Sequence, residues 1–108
     1  MKQLLLWVGF SGLPVLVKGI LRPDDAAKCL EHKADGIIIS NHGGRQLDTA
    51  VPALKQVEPI RKEIGTRAIL IVDGGIRRGT DVLKSLALGA NAVQIGRPIL
   101  WGLNYNGQ

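Results

Sequence analysis

The sequence predicts an α/β fold built on a parallel sheet. Short apolar runs rich in branched residues recur four times, at 13–17, 36–39, 68–72 and 92–95. Stretches with helical apolar spacing separate them, and a polar or glycine-rich cluster follows each run directly. Strand patterns alternating with helix patterns imply parallel strands joined by right-handed crossovers. In such a sheet the carboxyl ends of all strands lie on one side, so the four clusters can face one ligand.

The elements follow in order. Residues 1–12 have no clear place in the alternation: the apolar stretch 4–10 imitates a signal peptide but is short and lacks a clear small-residue cleavage site, so it reads as the start of a helix. The domain is expected over 13–108. Leu13-Pro14-Val15-Leu16-Val17 is the first strand, with proline where no ladder donor is missed, and it ends at Lys18-Gly19-Ile20. Arg22-Pro23-Asp24-Asp25 opens a helix with acidic residues in its first turn and Ala26, Ala27 and Leu30 on its packing face. Gly36-Ile37-Ile38-Ile39 is a strand buried on both faces. A longer helix runs from Pro52 to Ile64 with Leu54, Val57, Ile60 and Ile64 on one side; Pro59 should kink or split it, and Gly65 ends it. Ala68-Ile69-Leu70-Ile71-Val72 is the third strand. Thr80 or Asp81 caps a helix to Leu88, stopped by Gly89, and Ala92-Val93-Gln94-Ile95 is the fourth strand.

Composition narrows the function classes. No apolar run approaches the roughly 18 residues of a membrane span. One cysteine allows no internal disulfide, and Cys29 with His32 and His42 gives no metal-ligand spacing, which suits a reducing compartment; the expected location is intracellular, with the choice between cytoplasm and peroxisome left open. Cys29 reads as a buried or half-buried thiol, and His32 as a solvated side chain. A formal charge of +5 permits nucleic-acid binding, but 4% aromatic residues and the lack of a basic block argue against it. Arg77, Arg78 and Arg97 stand instead beside glycines at strand ends, which suggests a small phosphate.

The chemistry concentrates in Ser40-Asn41-His42-Gly43-Gly44-Arg45-Gln46-Leu47-Asp48, directly after the second strand. Imidazole moves protons near neutral pH, and guanidinium matches a carboxylate as a planar fork. Two glycines clear side chains from the loop so that a flat ligand can approach the backbone. After the third strand, Asp73-Gly74-Gly75-Ile76-Arg77 exposes backbone donors beside a cation, and Gly96-Arg97 does so after the fourth. In (β/α)8 barrels phosphates are commonly held after the last two strands, which would make these four strands 5 to 8 of a barrel. Trp7, Trp101 and Tyr105 read as packing or interface residues; Arg78, Gln46 and Asp48 stay ambiguous.

Lys18-Gly19-Ile20, the 40–48 run, Asp73-Gly74-Gly75-Ile76-Arg77-Arg78-Gly79-Thr80-Asp81 and Ile95-Gly96-Arg97-Pro98, in this order and spacing, closely resemble the FMN-dependent 2-hydroxy acid oxidases and dehydrogenases from about residue 13 to the end. The resemblance implies the C-terminal portion of a (β/α)8 barrel that oxidises a small 2-hydroxy acid to a 2-oxo acid. It makes Lys18 the cation near the flavin N1 and C2 carbonyl, Ser40 a flavin hydrogen-bonding residue, His42 the catalytic base and Arg45 the carboxylate clamp. Asp73, Gly74, Gly75, Ile76 and Arg77 correspond to the segment holding ribityl and phosphate groups, and Gly96 with Arg97 to the rest of the phosphate grip. Asp73 is also placed to orient His42. The resemblance leaves open hydride or carbanion transfer, the acceptor (oxygen, a quinone or a haem domain) and the chain length of the acid.

A whole barrel needs roughly 250 residues, so the chain reads as a fragment that ends where the last barrel helix would begin, with two open sheet edges and poor turnover alone. The full-length protein is expected to be a homo-oligomer. The alternatives are a flavin- or phosphate-binding half-barrel without catalysis, another phosphate-binding barrel such as IMP dehydrogenase, and, weakest, a nucleic-acid binder.

Overall fold

The computed structural model describes residues 8–10 and 12–107; Trp7 and most of the signal-like opening lie outside the described residues. Four strands, β1 (Leu16–Ile20), β2 (Gly36–Ile39), β3 (Ile69–Asp73) and β4 (Ala92–Gln94), form one parallel sheet in the order β1-β2-β3-β4. Each neighbouring pair is joined through α1 (Pro23–Glu31), α2 (Val57–Ile64) or α3 (Gly79–Ala87), and α4 (Arg97–Asn106) follows β4. No helix among the described residues is long and apolar enough to cross a membrane.

The first strand lies three residues later than expected, at Leu16–Ile20 rather than 13–17. Strand pairing decides this. Val15 donates its backbone N–H to the Asp35 carboxylate at 2.7 Å, outside the ladder, and pairing starts with Leu16 opposite Gly36. Lys18 is therefore inside the strand, just before an irregularity in pairing at Gly19, whose φ of +97° suits glycine.

The proline at 59 acts through helix position. A 3-10 segment (Ala53–Gln56) gives way to α2 at Val57, so Pro59 falls in the first α-helical turn, where its missing N–H has no intrahelical carbonyl to meet. Asp81 caps α3, but from the third helical position: its Oδ2 accepts from the Arg77 and Arg78 amides at 3.0 and 2.9 Å. Thr80 does not cap; Arg78 is the N-cap residue. The third strand reaches Asp73 and the fourth stops at Gln94, shifts of one residue at their ends. The fourth run also differs in burial, because β4 is an edge strand and its Ala92 and Gln94 are exposed. The sequence pattern missed α4, which begins at Arg97 with proline in its first turn.

One face of the sheet carries the core. Ile37, Ile39, Leu70 and Val72 pack with Ala26 and Cys29 of α1 and with Val57, Ile60 and Ile64 of α2. All of β2 is buried, as its isoleucine run predicts. The opposite face presents the register row Lys18, Ile38, Ile71 and Ala92, with Asp73 two residues beyond Ile71. Cys29 is buried, and burial pushes its thiol pKa up. His32 is half-buried rather than solvated, its Nδ1 2.8 Å from the Lys28 carbonyl oxygen.

Candidate functional site

The carboxyl ends of the strands open onto one cleft of about 640 Å³. Lys18, His42, Arg45, Asp73, Gly74, Gly75, Ile76, Arg77, Gly96 and Arg97 all line it. Ser40 is the one predicted site residue kept off its wall. It is 2% exposed, and its hydroxyl donates to Asp73 Oδ2 at 2.6 Å while accepting the His42 N–H at 3.0 Å. Its side chain thus supports the loop from beneath.

The loop after β2 is shaped by left-handed backbone. His42, Gly43 and Gly44 hold φ of +57°, +64° and +72° in succession. Asn41 Oδ1 accepts the Gly43 N–H at 3.1 Å, an Asx turn that fixes the entry to this bend. His42 therefore sits exposed on the cleft wall in a conformation uncommon for a residue with a Cβ. Arg45 lines the same cleft a few residues on.

Charge in the cleft is partly compensated. Lys18 Nζ meets Asp73 Oδ2 at 3.0 Å, across β2. Burial works to raise the Asp73 carboxyl pKa, but hydrogen bonds from Ser40 and Lys18, with the charges of Lys18 and His42, outweigh it and hold the group below its ordinary value. Asp73 reaches His42 through charge; the hydrogen bonds of its carboxylate go to Ser40 and Lys18. Asp73 is also tied to the His42 backbone, since it accepts from the Ser40 hydroxyl, which accepts the His42 amide. Asp81 is held below its ordinary value by the Arg77 and Arg78 amides.

The far side of the cleft suits an anion. A Cβ built on Gly75 or Gly96 meets no atom within 4 Å, so bare backbone faces open space there. Arg77 and Arg97 stand beside these glycines, and α4 begins at the cleft without a side-chain cap. Its first amides add to the positive field. The Arg97 guanidinium also donates to the Gly43 carbonyl at 3.1 Å, joining the ends of β4 and β2 across β3. Trp101 of α4, 54% exposed, lies beneath the Arg77 guanidinium at 5.8 Å from ring centroid to Cζ. These residues fit the phosphate and flat ring of a flavin nucleotide: open glycine backbone, two guanidinium groups and an ammonium on one cleft.

Asn41, Gln94 and Trp101 line the cleft without having been expected in the site. Asn41 was legible as an Asx-turn residue before two glycines. Gln94 becomes visible only through its register with Asp73. Trp101 needed α4, which the pattern did not predict.

A parallel α/β sheet whose strand ends gather an imidazole, several guanidinium groups and open glycine backbone on one cleft has the donor set of an α/β anion site with an imidazole beside it. A family model described as FMN-dependent dehydrogenase matches residues 7–108, and the chain belongs to that family. It is 58% identical over 105 residues to a 2-hydroxyacid oxidase of Dictyostelium discoideum, covering 96% of this chain and 27% of the relative. With an L-lactate oxidase of Nostoc it shares 55% identity over 98 residues, 91% of this chain and 27% of the relative. A peroxisomal (S)-2-hydroxyacid oxidase of Arabidopsis thaliana is 54% identical over 96 residues, 89% of this chain and 26% of the relative. The crystal structure of mandelate oxidase with benzoyl-formic acid superposes with a TM-score of 0.95 at 45% identity, over 98% of this chain and 32% of the oxidase. The four-stranded sheet thus matches part of a (β/α)8 barrel, and the chain spans about a quarter of the length of these curated relatives.

Proposed function

We propose that this chain carries the proton-transfer, carboxylate-binding and phosphate-binding groups of a site that oxidises a small 2-hydroxy acid to a 2-oxo acid. The observation that carries the reading is the convergence of His42, Arg45, Lys18, Arg77 and Arg97 on one cleft from four strand ends. FMN, when bound, supplies the two-electron acceptor that no side chain provides. Arg45 binds the substrate carboxylate as a fork and so fixes which carbon faces the ring. His42 takes the substrate proton at a ring nitrogen, presented to the cleft by the left-handed bend. Lys18 contributes positive charge on the floor of the cleft, steadied by Asp73. Arg77 and Arg97, with the Gly75 and Gly96 backbone, hold the phosphate. The L-lactate oxidase among the relatives supports a short acid as substrate and oxygen as acceptor, and the lone buried thiol with the peroxisomal relative supports an intracellular location.

The chain's share of its relatives' length supports a second reading: a flavin-binding part-barrel that turns substrate over poorly without the rest of a barrel. Titrating the purified chain with FMN, followed by flavin fluorescence, tests both. Saturable binding that weakens at least about tenfold in the Arg77→Ala, Arg97→Ala double variant is expected from the loss of two charge-assisted contacts. Absence of saturable binding sinks the phosphate assignment. Anaerobic bleaching of the bound flavin by glycolate or lactate then separates an active site from a binding module.

A further inference from the structure

Arg97 makes a contact that anion binding does not require. Its side chain starts at the first residue of α4, just after β4, and donates from Nη2 to the carbonyl of Gly43, 54 residues earlier in the chain. The contact is close on both sides. A Cβ built on Gly43 would overlap that same nitrogen, and Gly43 holds φ at +64°. Glycine at 43 is therefore required twice, by the backbone angle and by the guanidinium lying where a side chain would begin. Gly43 is flanked by His42 and followed by Gly44 and Arg45, so its carbonyl belongs to the bend that presents both groups. One donor spent on Gly43 leaves most of the five guanidinium N–H groups for an anion in the cleft that Arg97 lines.

We propose that Arg97 is a positioning residue for the 42–45 loop as well as an anion ligand, so that phosphate at the strand ends and the posture of His42 and Arg45 are thermodynamically coupled. This rests on the anion-site reading given above. The physical basis is the rigidity of the guanidinium. An anion that fixes its plane also fixes the direction of the N–H aimed at Gly43, and a loop that holds that N–H preorganises the guanidinium for the anion. The coupling must run equally in both directions.

Inorganic phosphate is the probe, titrated into the ¹⁵N-labelled chain with backbone amides followed by NMR. In the wild type, the Gly75 and Arg77 amides are expected to shift together with those of His42 and Gly43, all with one dissociation constant. Arg97→Lys keeps the charge and loses the fork: the Gly75 and Arg77 response persists, and the His42 and Gly43 response falls to the size of their baseline drift. Gly43→Ala adds one methyl group and removes no charge, yet it displaces the guanidinium and should weaken phosphate about two- to tenfold, the range of one net hydrogen bond. Gly44→Ala is the control for strain alone. Gly44 also has positive φ, but a Cβ there meets nothing within 4 Å, so phosphate affinity should stay within twofold. If Gly75 and Arg77 respond while His42 and Gly43 do not, or if Arg97→Lys leaves the His42 and Gly43 response intact, the coupling is wrong and the anion site stands. If Gly43→Ala and Gly44→Ala weaken phosphate equally, the effect is loop strain and the coupling is again wrong. If no amide responds to phosphate, both readings fall.

Discussion

His42 separates what the fold asks of a residue from what the proposed chemistry asks of it. Its backbone N–H is held by Ser40, but its φ of +57° works against any side chain with a Cβ. Asparagine visits this region readily, its short polar side chain bonding locally. His42→Asn should therefore unfold in urea within about 0.5 kcal/mol of the wild type, and bind FMN as tightly, because neither the loop nor the phosphate grip needs the imidazole. A large loss of stability would make the histidine structural. Asp73 gives the opposite case. Its folded pKa lies below the ordinary 3.8, so its favourable contribution is complete above that value and is lost as pH falls through the depressed one. Asp73→Asn should lower the urea midpoint at pH 7, and the gap between variant and wild type should close below the carboxylate range. A gap that is constant with pH would mean that the Ser40 and Lys18 contacts do not depend on the charge.

At the scale of elements, Arg61 joins what hydrophobic packing leaves apart. From α2 it donates to the Gly89 carbonyl after α3 at 2.8 Å, to Asn91 before β4 at 2.6 Å and to the Gly65 carbonyl at its own helix end at 2.5 Å. Asn91 in turn accepts the Leu70 N–H of β3 at 2.8 Å. Arg61→Ala should cost about 1–3 kcal/mol in urea unfolding, since it leaves partly buried carbonyls unpaired. Arg61→Lys should recover only part of that, because an ammonium cannot serve all these acceptors in one plane. The helix carrying Arg61 was visible as an apolar stripe; its partners were not, lying 28 and 30 residues away. The first strand was misplaced for a related reason. Leu13 to Val15 are as apolar as a strand, but pairing begins only where Leu16 meets Gly36.

Among the described residues, helices cover one sheet face, and the other face is partly or fully exposed away from Ile38. Helices close the face of Ile37, Ile39, Leu70 and Val72, while Ile69 on the other face is 51% exposed and Ala92 is exposed. Beyond β4, α3 and α4 expose Leu83, Ile99, Leu100 and Leu103. Parallel edge strands and exposed apolar side chains associate readily. The purified chain should accordingly show a mean mass in light scattering that rises with concentration, and charged substitutions at Leu100 and Leu103 should reduce the rise. A concentration-independent monomer would contradict this.

The sequence by itself determined the alternation of strands and helices, the direction of the sheet and nearly every predicted site residue's place on the cleft wall. Those signals are local: apolar period, glycine and proline position, and polar groups at the end of an apolar run. Only the tertiary structure decided that Lys18 lies inside β1 rather than after it, that Ser40 carries the loop from below, that Asp73 bonds both Ser40 and Lys18 and that Arg97 reaches Gly43. Each of these depends on strand register or on a contact between segments far apart in the chain. Local pattern fixes which residues a strand end delivers; which of them touch is set by how neighbouring strands align.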